Sequence, residues 1–93
     1  KEALPSLKSA NYTAVAGDTI LVTAGTITIT LPASPTAGDT VIVKDGTGAA
    51  ATTSWTVGRN GSNIASSATD LTFDKNWSEL CMTYINSTIG WSI

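Results

Sequence analysis

The side chains in this sequence that could do chemistry are few, and their types exclude most kinds of catalysis. The 93 residues contain no histidine and a single cysteine. Serine and cysteine nucleophile systems that need an adjacent imidazole are therefore absent, and so is the commonest zinc ligand. Carboxylate pairs are available in Asp18 with Asp39 and in Asp70 with Asp74, but all four lie in turn-like stretches where a carboxylate caps backbone amides. We expect no enzymatic activity, no catalytic residues and no cofactor.

A second candidate site is the loop "KDGTGAAATTS" at residues 44–54. Asp45 and the loop carbonyls could supply the oxygen ligands that Ca²⁺ prefers. Asp45-Gly46 is also a strong turn dipeptide, and no spacing of acidic residues in the loop matches a calcium site. We therefore interpret Asp45 as a turn residue and expect no metal site.

The three tryptophans are the remaining candidates for a binding surface. Trp55 and Trp91 lie in strand-like stretches, and we expect both in the core, where they supply volume that the chain otherwise lacks. Trp77 follows the polar residues "DKN", so the sequence leaves open whether its ring is buried or exposed. If it is exposed, Trp77 could contact a glycan, with Tyr12 or Arg59 as a second contact.

The composition limits the partners. Charged residues make up 13% of the chain, the net charge is -2, and the five basic residues are scattered, so we expect no nucleic-acid binding. No apolar run approaches the roughly 18 residues that span a bilayer, so we expect no membrane insertion. Large apolar side chains are sparse for a chain of this length, which favours burial shared with other subunits.

Two seven-residue stretches share their first four letters and the apolar character of the rest. "AGDTILV" begins at Ala16 and "AGDTVIV" begins at Ala37. In each copy the glycine can adopt positive φ without steric conflict, and the aspartate can accept hydrogen bonds from amides in the bend. We interpret both as a tight turn that leads into a buried strand. The 21-residue offset could indicate a solenoid, but the next register gives only "GRNG", so we expect two related strand pairs.

The rest of the chain also follows a β pattern. In "TITITL" at residues 26–31, aliphatic residues alternate with threonine, which predicts one buried and one solvated face. Asn60-Gly61 predicts a tight hairpin turn, and short strands are expected at 71–73 and 89–93. "SELCMTYI" predicts a strand buried on both sides, with Cys81 as a small buried residue. The expected fold class is all-β, a small antiparallel β-sandwich or jelly-roll-like barrel, with an extended arm at 1–11 and one β domain at 12–93.

Several short motifs follow one another in this domain: Tyr12, Asp18, "ITLPASP" with its "AGD" turn, Lys44-Asp45, Arg59-Asn60-Gly61 with Ile64, Asp70-Leu71, Tyr84 and Trp91. Together they resemble the Thr- and Gly-rich β modules of tailed-bacteriophage fibre and capsid decoration proteins. The resemblance covers nearly everything after residue 11. It implies a non-enzymatic structural module on the virion surface that assembles as a homotrimer.

The resemblance leaves two places on a phage particle. No segment of the 93 residues looks like a fibre shaft or coiled coil, so we expect a capsid decoration, cement or head-fibre protein that stabilises the particle. Its partners would be copies of itself and the major capsid protein or another virion protein, and the arm would contact the capsid through Leu4, Pro5 and Leu7. If the 93 residues are part of a longer chain, the alternative is a tail-fibre or carbohydrate-binding module that recognises a host surface glycan.

Overall fold

The computed structural model describes residues 5–93, which form nine β-strands and no helix. The strands are β1 (Ser6–Lys8), β2 (Tyr12–Thr13), β3 (Thr19–Val22), β4 (Thr28–Thr30), β5 (Thr40–Asp45), β6 (Trp55–Gly58), β7 (Leu71–Phe73), β8 (Glu79–Asn86) and β9 (Gly90–Ser92). Within this range no helix is long and apolar enough to cross a membrane. The prediction of an all-β chain is confirmed.

The strands belong to two sheets of mixed direction. One has the order β1-β3-β5-β8-β9 and the other has the order β2-β4-β6-β7. The pairs β1-β3, β3-β5, β2-β4 and β4-β6 are parallel, whereas β5-β8, β8-β9 and β6-β7 are antiparallel. The expectation of an antiparallel architecture is therefore wrong for the first half of the chain. From β1 to β6 the chain alternates between the sheets, so each strand pairs with the next but one, which runs in the same direction.

The repeated "AGD" letters form the same turn twice. Asp18 and Asp39 each donate a backbone N–H to the carbonyl three residues earlier, and their carboxylates accept the amide of that same residue at 2.9 Å. Gly17 and Gly38 have φ of 90° and 95°, as the third position of a type II turn requires. The predicted turn is confirmed. Each turn leads from a strand of the four-stranded sheet to one of the five-stranded sheet, the first from β2 to β3 and the second from β4 to β5.

The buried side chains of both sheets form one hydrophobic cluster. Trp55 stacks on Phe73 with ring centroids 4.1 Å apart, and Tyr84 meets Trp91 edge to face at 5.6 Å. Trp55 and Trp91 are 1% and 0% exposed, so their predicted places in the core are confirmed. The other buried apolar members are Ala14, Ile20, Val22, Ile29, Leu31, Val41, Val43, Ala50, Val57, Ile64 and Met82.

The five-stranded sheet buries only one of its faces. Along β8, Met82 is buried, but Cys81 on the other face is exposed. The prediction that this strand is buried on both sides, with Cys81 inside, is wrong. The apolar run suggested two buried faces, but only the inner face packs against the other sheet. Cys81 pairs with Ile42 of β5 on the outer face.

The four-stranded sheet carries threonine on the outer face of every strand. Thr28, Thr56 and Thr72 lie side by side on β4, β6 and β7, and Thr13 lies beside Thr30. The buried residues of these strands, such as Ile29 and Val57, point the other way. The predicted alternation in "TITITL" is confirmed, and this outer face presents hydroxyls rather than large apolar groups.

Candidate functional site

The only fully buried charged residue within residues 5–93 is Asp45, at the end of β5. Its carboxylate accepts five hydrogen bonds. Oδ1 accepts the Thr47 hydroxyl at 2.7 Å, the Thr47 amide at 3.3 Å and the Trp55 indole N–H at 3.1 Å. Oδ2 accepts the amides of Gly48 at 3.1 Å and Trp77 at 3.0 Å. One side chain therefore ties together the end of β5, the loop after it, β6 and the turn before β8.

These hydrogen bonds decide the charge state of Asp45. Burial by itself would raise the pKa of this carboxyl. The hydrogen bonds from the Thr47 hydroxyl, the Trp77 amide, the Trp55 indole and the Thr47 amide outweigh burial and lower the pKa to about 2. Asp45 is therefore ionised at neutral pH.

Local sequence explains why the chain folds around this carboxylate. Thr47 follows Asp45 by two residues, so its hydroxyl and amide can both reach back. Gly46 lies so close to Val22 and Leu21 that a side chain would not fit, and its amide donates to the Val22 carbonyl at 2.7 Å. Five hydrogen bonds occupy the acceptor sites of the two Asp45 oxygens, so the carboxylate is saturated. No group of three metal-ligating side chains occurs in residues 5–93.

Trp77 is the exposed aromatic residue attached to this network. It is 60% exposed, and its φ is 59°, a left-handed conformation that is unusual for a bulky residue. Its backbone amide is held by Asp45. The Cζ2, Cε2 and Nε1 side of its indole lies against Gly48, where an added Cβ would come within 2.6 Å of the ring. The open question about Trp77 is resolved: the ring is exposed and held in place.

A small surface cavity lies on the same turn, between β7 and β8. Its volume is about 130 Å³. The apolar lining residues are Leu71, Phe73 and Leu80, and the polar ones are Thr72, Asp74, Lys75, Ser78 and Glu79. The hydrogen bonds of Ser78 to the Lys75 carbonyl, through its hydroxyl at 2.9 Å and its amide at 3.3 Å, close the turn.

Tyr12 and Arg59, the other two residues suggested as glycan contacts, lie in parts of the structure that do not contact Trp77. Tyr12 lies on β2, donates its hydroxyl to Asp18 at 2.9 Å and has the Lys8 ammonium 3.9 Å from its ring centre. The hydrogen bond to Asp18, together with burial and the Asp18 charge, raises the pKa of Tyr12. Arg59 follows β6, where its guanidinium donates to the Ser62 carbonyl at 3.3 Å. Within the described residues, no hydrogen bond or ring contact joins either of them to Trp77.

The residues proposed for capsid contact lie at the start of the described range. Leu4 lies outside the described residues. Pro5 is half-buried, and Leu7 is 64% exposed on β1. β1 pairs with β3 from Ser6 to Lys8, so this part of the proposed arm is an edge strand of the five-stranded sheet.

Sequence reasoning missed the central role of Asp45, although a signal was present. Asp45 has the same parity along β5 as Val41 and Val43, which are both buried. A strand that alternates apolar and polar residues and then places a carboxylate at an inward position predicts a buried acid that needs several donors. Because Asp45-Gly46 is also a common turn dipeptide, Asp45 was interpreted as a turn residue and its inward position on β5 was overlooked.

The indole bond to Asp45 can be measured by comparing two buried tryptophans. Trp55 donates to the carboxylate, whereas the Trp91 Nε1 has no hydrogen-bond partner within residues 5–93. Trp55→Phe and Trp91→Phe remove the same atoms from buried sites. We expect Trp55→Phe to lower the free energy of unfolding by about 2 kcal/mol more than Trp91→Phe, because a buried hydrogen bond to a charged group is lost only at Trp55. Urea unfolding of both variants checks this, and equal losses would contradict it.

Comparison with known proteins adds no relatives. No protein-family model matches this chain, and no curated protein matches it. Inferences about function therefore depend on the residues and their geometry.

Proposed function

We propose that this chain is a non-enzymatic structural module of the bacteriophage virion that assembles with copies of itself and stabilises the particle as a capsid decoration or head-fibre protein. The virion assignment is supported by the resemblance of its motif order to phage fibre and decoration modules. The assembly is supported by one structural observation, the outer face of the five-stranded sheet.

That outer face carries two pairs of apolar side chains among its polar residues. Leu7 of β1 lies beside Leu21 of β3, and Ile42 of β5 lies beside Cys81 of β8. Leu7 and Cys81 are exposed. Neighbouring apolar side chains on a solvated sheet face are typical of an interface with another protein.

The charges on the same face favour a second copy of the chain as the partner. Lys44 and Glu79 lie directly opposite each other on β5 and β8, and both are exposed. A face with one positive and one negative group beside an apolar strip is complementary to itself, since the lysine of one copy can approach the glutamate of another. The threonine-covered face of the other sheet offers no such combination.

We further propose that the two sheets form a sandwich rather than a closed barrel, and that three copies associate. The strand order gives the sheets the edge strands β1 and β9, and β2 and β7, which supports an open sandwich. The trimer is an expectation carried by the resemblance. In this arrangement Leu7 contributes both to the apolar face and to the segment proposed to contact the capsid.

The self-association is tested by Ile42→Glu against a matched control. Ile42 and Thr56 are half-buried residues on central strands, and they lie on the outer faces of the two sheets. We expect light scattering to give three times the 9.5 kDa chain mass for the wild type and for Thr56→Glu, and one chain mass for Ile42→Glu with an unchanged circular dichroism spectrum. A monomeric wild type, or equal effects of both variants, would contradict the proposal.

The virion assignment is tested by particle binding of the wild type, and Leu7→Glu tests the contribution of β1, which also lies on the self-association face. Deleting residues 1–10 would also remove β1 from its sheet, so a substitution is the cleaner probe. We expect the chain to co-sediment with capsids of its phage and Leu7→Glu to reduce the bound fraction at least tenfold. Val15→Glu is the control, because Val15 is 58% exposed and lies outside the strands. A chain that fails to bind capsids, or a Leu7→Glu variant that binds like Val15→Glu, would overturn this part of the proposal.

A further inference from the structure

The turn after β6 places an asparagine directly before a glycine at the surface. Asn60 and Gly61 have φ of 50° and 87°, and both are exposed. The Ser62 amide donates to the Arg59 carbonyl at 3.2 Å, which closes a type I′ turn around them. This turn contributes no residue to the surfaces proposed for self-association and capsid binding.

The backbone nitrogen of Gly61 is open to reaction. Most amides in a folded chain are engaged in hydrogen bonds, but the Gly61 amide donates to no acceptor within residues 5–93. No atom lies within 4 Å of the position where a Cβ would stand, and glycine has no side chain of its own to shield the nitrogen. The nitrogen can therefore lose its proton to solvent and attack a neighbouring carbonyl carbon.

The side chain of Asn60 supplies that carbonyl carbon. Its Cγ precedes the Gly61 nitrogen in the chain by a spacing that closes a small cyclic imide. The Asn60 Nδ2 donates to the Leu31 carbonyl at 2.9 Å, so the carboxamide is held against the end of β4 rather than free to rotate. The turn thus holds an ordered electrophile beside an unengaged nucleophile.

The other asparagines lack this combination. The Ile64 amide, which follows Asn63, donates to the Ser67 carbonyl at 2.9 Å. The Trp77 amide, which follows Asn76, donates to Asp45 at 3.0 Å. A bulky or branched side chain after an asparagine also shields the nitrogen, and Gly61 is the only glycine that follows an asparagine. The asparagines without a following glycine are Asn11, Asn63, Asn76 and Asn86.

The fold protects a second dipeptide that could form the same imide. Asp45 precedes Gly46, but the Gly46 amide donates to the Val22 carbonyl at 2.7 Å. The Asp45 carboxylate is buried and already accepts hydrogen bonds at both oxygens. We expect no reaction at this pair, so the tertiary structure distinguishes the two dipeptides.

From these features we propose that Asn60 is a site of spontaneous deamidation in the folded protein. The Gly61 nitrogen loses its proton and forms a bond to Cγ of Asn60, the Cγ–Nδ2 bond breaks, and the released nitrogen takes up a proton and leaves as ammonia. Water then opens the cyclic imide. Addition of water at the Cγ carbonyl gives aspartate at position 60, and addition at the backbone carbonyl gives isoaspartate, in which the chain runs through the former side chain.

The reaction weakens the connection between the turn and β4. Loss of Nδ2 removes the donor to the Leu31 carbonyl, and a carboxylate oxygen then faces that carbonyl, so two acceptors repel each other. Leu31 is fully buried, so the change acts on a residue of the core. We expect the deamidated protein to unfold at a lower urea concentration than fresh protein and to elute later from an anion exchanger, because each molecule has gained one negative charge.

Peptide mapping by mass spectrometry during incubation at pH 8 and 37 °C tests the proposal. We expect Asn60 to convert to aspartate and isoaspartate at least about tenfold faster than any other asparagine, because only its neighbour lacks a Cβ. The rate should rise with pH, since the nitrogen must lose its proton. Gly61→Ala should slow the reaction at least about tenfold, whereas Val15→Ala, which changes an exposed residue elsewhere, should leave the rate unchanged.

Three results would overturn the proposal. They are conversion of Asn60 no faster than that of Asn86, equal rates in wild type and Gly61→Ala, and conversion that starts only when urea unfolds the chain, which would show that the folded turn protects the site. Asn60→Asp reproduces one product and should show the earlier urea transition and the later elution without incubation. None of these measurements depends on self-association or on binding to a particle.

Discussion

Asp45→Asn is expected to lower the free energy of unfolding by about 3–5 kcal/mol, a large effect for a substitution that changes one polar atom. All five groups that reach Asp45 are donors. An asparagine keeps one acceptor oxygen and replaces the other with an NH₂ group that faces amide donors. Buried donors left without an acceptor cost about 1–3 kcal/mol each, and the bonds that remain lose the charge that strengthened them.

The matched control is Asp39→Asn. Asp39 also ends a tight turn and accepts a backbone amide at 2.9 Å, but it is only half-buried, so water can replace the lost bond. We expect a loss below about 1 kcal/mol for this variant. Chemical denaturation of the three proteins at pH 7 decides the matter, and similar losses for the two variants would show that burial of the Asp45 network contributes nothing.

The same network predicts how stability depends on pH. The folded-state pKa of Asp45, about 2, lies below the value of about 3.9 for an unfolded aspartate. Its stabilisation is therefore complete above pH 4 to 5 and is lost as the pH falls through 2. Integration of that shift gives a loss of about 2 kcal/mol in the wild type between pH 5 and pH 2. Asp45→Asn should lack this component, and an equal acid response in both proteins would contradict the assignment.

Gly90→Ala is the second substitution with a large expected effect. Gly90 begins β9 with a φ of 72°, and a Cβ there would overlap the backbone carbonyl of Asn63. That carbonyl accepts the Trp91 amide at 2.8 Å. The amides of Ala65 and Ser66 continue the contact, since they donate hydrogen bonds to the carbonyls of Trp91 and Ile89. The added methyl must push this whole segment away. We expect a loss of about 3 kcal/mol or more, from backbone strain and lost hydrogen bonds together.

Gly61→Ala separates the clash from the strain. Gly61 also has positive φ, at 87°, but no atom lies within 4 Å of the position of its Cβ. The left-handed conformation alone should cost about 1–2 kcal/mol. Thermal or urea unfolding of both variants measures the difference. If Gly61→Ala is as damaging as Gly90→Ala, the contact with Asn63 is not the cause.

Both substitutions concern places where distant segments meet, and Asp45 also positions the exposed ring of Trp77. The carboxylate that joins β5, β6 and the 74–78 turn also holds the amide of Trp77. A variant of Asp45 that still folds should therefore release the ring.

The sequence alone determined the local structure of this protein. Alternation in "TITITL" placed Ile29 and the threonines on opposite faces, and the two "AGD" copies specified two identical turns. It also placed Trp55 and Trp91 in the core. These features depend on residues a few positions apart, because backbone preferences and side-chain periodicity are local and do not require contacts with the rest of the chain.

The tertiary structure decided which strands pair, which apolar residues stay outside and what Asp45 does. The same alternating strand can pair in parallel or antiparallel fashion, and only the alternation of the chain between two sheets selects parallel pairing for β1 to β6. Cys81 lies outside because the second sheet covers the other face of β8. Asp45 becomes a buried centre because Trp55 and Trp77, 10 and 32 residues away, bring donors to it. Contacts at such separations are set by packing, which no local pattern of residues encodes.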